Sequence, residues 1–349
     1  MEPVTHMLTG ACLGRAGLNR TTGLATLTLV LAAEAPDGDM VFFLGGSVTG
    51  FKHHRGFTHS FLGAPVVAAI TLAGVYGIYR LMLRRGRQAK LPPRWGLLYA
   101  YALLGALSHI LLDFTNSYGV RPLAPFHPRW YSWDVVHIVD PVILGALILG
   151  LVVPALLGLV SDEVGARKPQ FRGRGGAVFA LVCFVAVVFL RDFEHRRAVA
   201  ALNSVTFRNQ DALRVSAFPS KANPFSWSGV VETRDFFEVL PVDSGSGQLD
   251  PQNRAVIRYK PEETPVTLAA KNSRLGHVYL DWAQYPLVDV ATLAAGAGYH
   301  VHFQDLRFTT AEDLSQGEAP VLAGNVELDP QLRVVEQYMG RPPVESHKR

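Results

Sequence analysis

Phe61–Leu83 carries one charged side chain, Arg80, in a run long enough to cross a bilayer, which takes roughly 20 residues. Trp95–Leu112 and Pro141–Val160 repeat the pattern, and Gly176–Leu190 is a shorter fourth. In lipid every backbone N–H and C=O must find its partner within the segment or its neighbours, so such runs are expected as helices. Val4–Gly17 and Thr22–Ala35 are too short to span and read as a helical hairpin turning at Leu18-Asn19-Arg20-Thr21. Met40–Val48 is apolar and brief, and reads as a re-entrant or interfacial piece.

The apolar share of 49% hides a split near Leu190, beyond which the chain is polar and mixed. The expected architecture is an all-α integral membrane helical domain over residues 1–190, followed by a small β-rich (α+β) extramembrane domain over residues 191–349. Net charge is +4. The basic residues sit beside apolar segments, in one group at Arg84, Arg85, Arg87, Lys90 and Arg94 and another at Arg167, Lys168, Arg172 and Arg174. Topogenic charge explains that placement better than a nucleic-acid surface, and no nucleic-acid partner is expected.

Both basic loops are then cytoplasmic, which puts Gly38–Ser60 and Phe114–Asp140 on the outer face. Arg15 and Arg20 place the hairpin turn on the cytoplasmic side, so that His6 and Asp37 return outward. The tail follows the fourth span outward; Arg191, Arg196 and Arg197 oppose this slightly but are mixed with Asp192 and Glu194. The expectation is a multi-pass inner-membrane protein with an extracytoplasmic C-terminal domain, contacting membrane lipids. The N-terminus lacks the pattern of a cleavable signal peptide. Cys12 and Cys183 lie in apolar stretches and form no CxxC motif.

In the tail, Val205–Phe218, Trp227–Leu240, Ala255–Tyr259, Val278–Trp282 and His300–Phe308 alternate apolar and polar residues as half-buried strands do. Ala198–Ser204 is expected to extend the last helix, and Arg341–Arg349 to fray. His277, His300 and His302 are dispersed and read as core or surface histidines.

Groups that lipid-adjacent sequence seldom tolerates gather at the ends of the apolar segments. They fall in Pro36-Asp37-Gly38-Asp39, in His54-Arg55-Gly56-Phe57-Thr58-His59-Ser60 and in Ser108-His109-Ile110-Leu111-Leu112-Asp113, with His6 near the start. On a helix His109 and Asp113 share one face. Both then chelate one ion, or Asp113 orients the imidazole. Asp37 and Asp39 form an ordinary Pro-Asp-Gly turn or a carboxylate clamp for a cation. Gly56 supplies the freedom that brings His54 and His59 together. Asn116 adds a polar group in the turn after Asp113. Asp134, His137 and Asp140 support the ligands from outside or simply mark the interface, beside the aromatic belt of Trp130, Tyr131 and Trp133.

Together these phrases, with Thr5, Gly10, Asn116, Tyr118 and Gly119, resemble the bacterial membrane-bound metal-dependent hydrolases, a family that includes a LexA-regulated inner-membrane type. The resemblance covers roughly Met1–Leu190. It implies a divalent-metal hydrolase with His6, Asp37, Asp39, His54, His59, His109 and Asp113 as ligands. That many ligands exceed the needs of one tetrahedral zinc and suit one or two ions. Asp37 or Asp39 is the expected bridge or general base. Arg55 either steadies an anionic substrate or anchors at lipid headgroups. The expected substrate is an ester or phosphodiester, small or lipid-linked, met at the outer interface. The competing expectation is a non-catalytic membrane protein with a structural metal site, in transport or sensing. The tail reads as a lid, a recognition module or a docking domain.

Overall fold

The computed structural model describes residues 1–163, 173–250, 254–317, 320 and 322–341. Arg167, Lys168 and Arg172, and the end of the chain beyond Arg341, lie outside the described residues. Two compact units emerge. The first comprises Met1–Asp39, Arg55–Phe193 and Lys221–Asn223; the second comprises Met40–His54, Glu194–Ser220 and Pro224–Arg349.

The first unit is helical. Helices α1 (Pro3–Arg15) and α2 (Ala25–Glu34) form the expected hairpin, and an unusually long 3-10 run, Ala35–Gly45, leaves α2. A short helix of the second unit, α3 (Ser47–His53), precedes α4 (Gly63–Arg84), α5 (Trp95–Phe114), α6 (Pro141–Glu163) and α7 (Arg174–Asn203), which belongs to the second unit from Glu194 on. Among the described residues four helices, α4 to α7, are long and apolar enough to cross a membrane. The last absorbs Ala198–Ser204 as far as Asn203, as the apolar run predicted.

Small residues let these helices approach closely, as lipid-embedded packing favours. A Cβ on Gly10 would lie 2.6 Å from the carbonyl oxygen of Leu29, and one on Gly105 would lie 2.7 Å from Ala32 Cβ. Thus α2 packs tightly against both α1 and α5. Gly10 follows His6 by one helical turn and Gly105 precedes His109 by one turn, so this packing sets where both rings go. Between α6 and α7, Asp140 and Arg191 form a buried ion pair at 2.6 Å. Asp140 also accepts the backbone N–H groups of Val142 and Ile143, capping α6.

The second unit holds two four-stranded antiparallel sheets, each a simple meander. The first sheet runs β1 (Arg214–Pro219), β2 (Ser226–Glu232), β3 (Phe236–Asp243) and β4 (Val256–Tyr259). The second runs β5 (Pro286–Thr292), β6 (Tyr299–Asp305), β7 (Gly324–Leu328) and β8 (Val334–Met339). Helices α8 (Pro265–Lys271) and α9 (Arg274–Trp282) precede the second sheet, and α10 (Ala311–Gln316) lies between β6 and β7. Ala198 and Leu202 of α7 share a core with Trp227, Val231 and Leu240 of the first sheet.

Several expected strands are corrected. Trp227–Leu240 is two strands, because Thr233 Oγ1 accepts the Phe236 N–H and donates to its carbonyl, closing a turn. Val205–Phe218 is extended only from Arg214, since Arg208 and Asn209 take left-handed conformations in a tight turn. Val278–Trp282 is part of α9 rather than a strand. Ser273 caps that helix by accepting the Gly276 N–H, and Leu275, Tyr279 and Trp282 bury one face at helical spacing. After β6, Asp305 accepts the Arg307 N–H and turns the chain into a 3-10 turn, so His300–Phe308 is not extended to its end.

Met40–Val48, expected as a re-entrant or interfacial piece, belongs to the second unit and leaves Met40, Val41, Phe42 and Leu44 exposed. Beyond it in the same segment, Phe51 is buried against Trp282, ring centroids 5.1 Å apart, and stacks near Tyr279. Ser47 Oγ accepts the Met339 N–H at 3.0 Å, and Arg274 donates to Thr49 Oγ1 at 2.9 Å. The chain therefore leaves the helical unit after Asp39 and rejoins it at Arg55.

Candidate metal centre

His109 occupies the penultimate turn of α5, where its Nδ1 lies 2.6 Å from the carbonyl oxygen of Ala33 at the end of α2. A carbonyl only accepts, so Nδ1 carries a proton, and in the neutral ring Nε2 presents a lone pair. His59 is held likewise from its other side. Its Nδ1 lies 3.0 Å from Thr58 Oγ1 and 3.2 Å from Asp39 Oδ2, leaving Nε2 to face inward. The two Nε2 atoms stand 3.0 Å apart. Asp37 Oδ1 lies 3.2 Å from His59 Nε2 and 3.4 Å from His109 Nε2. Asp113 Oδ2, 3.4 Å from each Nε2, has no hydrogen-bond partner.

Asp37, His59, His109 and Asp113 thus aim ligand atoms at a common point, all within 4.8 Å of one another. Two nitrogens bound to one tetrahedral zinc would be about 3.3 Å apart, close to what is seen. The donor set is borderline nitrogen plus hard oxygen, which suits a first-row divalent ion. A buried carboxylate oxygen without a donor is costly unless a cation satisfies it. These residues fit a metal ion.

Burial disfavours a charged His59 ring, but the carboxylates of Asp113, Asp37 and Asp39 outweigh it and hold the metal-free imidazole up at about 10. Asp37 is pushed below the ordinary carboxylate range: burial opposes this, and hydrogen bonds from His109 and His59 overcome it. Its side chain is 17% exposed, whereas those of His59, His109 and Asp113 are fully buried, so the site opens on the Asp37 side.

Asp39 is not one of those four, but with Asp37 it belongs to a second group of possible ligands. Its Oδ2 accepts the Arg55 N–H at 2.9 Å and the Thr58 hydroxyl at 2.8 Å, which locks the turn carrying His59. Arg55 is turned inward onto protein partners. Its buried guanidinium donates to Asp113 Oδ1 at 2.8 Å and to Asn116 Oδ1 and the Gly119 carbonyl at 3.2 Å. It also lies over the Tyr118 ring at 4.5 Å. The left-handed backbone at Arg55, φ 54°, turns the side chain inward. Arg55 is a positioning residue for Asp113, and Asn116, whose Nδ2 reaches Asp113 Oδ1 at 3.4 Å, is another.

His6 stacks on His109 with ring centroids 3.7 Å apart and places Nε2 3.4 Å from Asp113 Oδ1. It is fully buried and neither ring nitrogen has a hydrogen-bond partner. His54 ends α3 in the second unit, its N–H bonded to the Gly50 carbonyl. Asp134, His137 and Asp140 are not brought to the ligands. Asp140 serves α6 and Arg191, His137 bonds locally to Val139, and Asp134 adopts a left-handed turn with φ 60°. In the second unit, His300 Nε2 and His302 Nδ1 both meet Asn325 Oδ1, at 3.1 and 3.0 Å, consistent with histidines used in the sheet.

Glu34 and Thr58 were not singled out from the sequence. Glu34 ends α2, and burial raises its carboxyl to about 7, with the nearby charges of His109 and Asp37 acting in opposite directions. An acid closing an apolar run, one helical turn before Asp37, was the available signal. Thr58 buttresses Asp39 and His59 through its hydroxyl.

No solved structure matches the chain. A stretch of 151 residues is 28% identical to a Bacillus subtilis (strain 168) protein described as "Uncharacterized protein YfhP". The match covers 41% of this chain and 43% of that relative, so it spans less than half of the relative's length. Residues 1–198, more than half of the chain and the whole of the candidate centre, match the family model described as YdjM inner membrane protein, and the chain belongs to that family.

Proposed function

We propose that this inner-membrane protein is a metal-dependent hydrolase acting on an ester or phosphodiester of an amphiphilic or lipid-linked substrate. The observation that carries this reading is the convergence of two imidazole Nε2 atoms and two carboxylates on one point, with Asp37 the least buried of the four. Asp37, His59, His109 and Asp113 would hold the ion, zinc being the metal the donor set suits best. A bound divalent ion supplies Lewis acidity, polarising a carbonyl or phosphoryl oxygen and lowering the pKa of water toward about 7. Asp37, at the open side, would accept a proton from the attacking water. Glu34, held near 7, has the acidity of a group that exchanges protons at neutral pH. Arg55 and Asn116 would keep Asp113 oriented. A second ion would draw on His6, whose nitrogens are buried and unbonded.

Positive-inside charge at Arg84–Arg94 supports an extracytoplasmic location for the opposite end of α5, where the centre lies. A substrate would then be met at the outer interface. The purified protein is expected to carry a divalent metal and to hydrolyse one member of an ester and phosphodiester panel. Asp113→Asn and His109→Ala should each abolish turnover, and wild-type activity in either variant would sink the proposal.

A structural metal brace is the second reading. Its supporting observation is that four side chains already saturate a tetrahedral zinc. Metal removal would then unfold the helical unit with no substrate turned over.

A further inference from the structure

At the end of the helical unit away from the candidate centre, a cavity of about 550 Å³ opens beside the α1–α2 turn and the α4–α5 connection. The two loops are stitched together: the Arg94 N–H donates to Thr22 Oγ1 at 2.7 Å, and Thr21 Oγ1 meets Tyr101 Oη at 2.8 Å. Gly23 lies so close to the Leu91 carbonyl that a Cβ would sit 2.0 Å from it. The cavity is therefore a formed feature of the fold.

Its chemistry is two-sided. Arg15 and Lys90 line it, and none of its described lining residues is acidic. Arg174, whose Nε donates to the Ala16 carbonyl at 3.0 Å, directly follows the lining residue Gly173. The first turn of α2, from Ala25 to Leu27, also lines the cavity, and no side chain caps it. Uncapped helix N–H groups add to the positive potential. Leu27, Met82 and Pro154 supply apolar wall. Cations and an apolar flank in one cavity match a molecule with an anionic head and a hydrocarbon tail.

We propose that this cavity binds the phosphate headgroup of an anionic phospholipid, with Arg15 and Lys90 pairing the phosphate and Leu27, Met82 and Pro154 lying along the acyl chain. Basic pockets between membrane helices capture such headgroups, and each cation near an anionic surface contributes about fivefold in affinity. The site lies apart from the candidate metal centre and does not depend on what that centre does.

The test uses the full-length protein in nanodiscs or detergent, with native mass spectrometry counting retained lipid. One phosphatidylglycerol should remain bound, and phosphatidylcholine should not. Arg15→Gln with Lys90→Gln should weaken retention roughly 25-fold, the product of two such cations. Lys90→Gln alone, on an exposed loop where misfolding is not a concern, should weaken it about fivefold. Metal content should stay at the wild-type level in all of these. Equal retention in wild type and Lys90→Gln overturns the assignment. Equal retention of phosphatidylcholine overturns it too. Displacement of the lipid by millimolar inorganic phosphate would show that the site takes free phosphate rather than lipid.

Discussion

The helical unit and the sheet unit are packed by opposite means. Around α2 the contacts are made by glycine and alanine, Gly10 on the Leu29 backbone and Gly105 on Ala32. The sheets are filled by large rings: Trp227, Trp282, Tyr279, Tyr285 and Phe303 are all fully buried. Water drives apolar side chains together, so a domain in water gains by burying big ones. Lipid supplies no such drive between helices, and close backbone approach takes its place. The polar groups do not follow this division, since each unit buries an ion pair. In the helical unit they concentrate in a few buried sets, at the candidate centre and at Asp140–Arg191. In the sheet unit Lys260–Glu232 sits partly exposed, while Arg307–Asp305 is a fully buried ion pair.

The widest test of this contrast is Trp227→Ala, which should destabilise the sheet unit by about 3–5 kcal/mol. Denaturant melts of the full-length protein would register it, while metal content should not change. A parallel loss of metal would show that the units do not behave separately. Gly105→Val is the counterpart, expected to cost about 1–3 kcal/mol by forcing α2 from α5. Here metal should be lost while the β-sheet circular dichroism signal persists; retained metal would mean that close approach at Gly105 does not set the position of His109. Arg55→Lys keeps the charge but loses the forked geometry that reaches Asp113, Asn116 and Gly119 together. Metal affinity should fall by about 10–100-fold, as it does when supports of ligands are removed, measured by competition with a chelator. An unchanged affinity would make Arg55 a packing residue only.

The smallest effect is a pH trend. In the metal-free protein the His59 pKa is raised to about 10, so its charged form stabilises the fold fully below about 6.5, and this contribution fades as pH rises toward 10. Metal binding needs the neutral ring and runs the other way, tightening by at most about tenfold per pH unit for one proton released. Melting of apo and metal-loaded protein across pH 6 to 9 should therefore diverge. Parallel curves would remove His59 from the ligand set. The sheet unit should show no such divergence.

Much of this was legible in the chain. Long apolar runs announced α4 to α7, because helix formation in lipid depends on each segment alone. The turn at Leu18–Thr21 and the strand Val256–Tyr259 were likewise local signals. Alternation misled where a cap decided the outcome, as at Ser273, which starts a helix through Val278–Trp282. It also missed the turn at Thr233, made by one hydroxyl. At the candidate centre, residue types and phrases were readable, but their division of labour was not. Nothing in His54-Arg55-Gly56 says that Arg55 folds inward under Asp113, or that His54 falls in the other unit.

By itself, the sequence determined the membrane-spanning helices and the inventory of imidazoles and carboxylates at their ends. Both follow from the cost of placing polar groups in lipid, a property of each segment on its own. Only the tertiary structure decided which of those groups meet. Asp37, His59, His109 and Asp113 converge because glycine and alanine let α2 press against α1 and α5, while Asp39 and Arg55 are drawn away into holding that geometry. Convergence depends on contacts between residues far apart in the chain, and no local pattern encodes them.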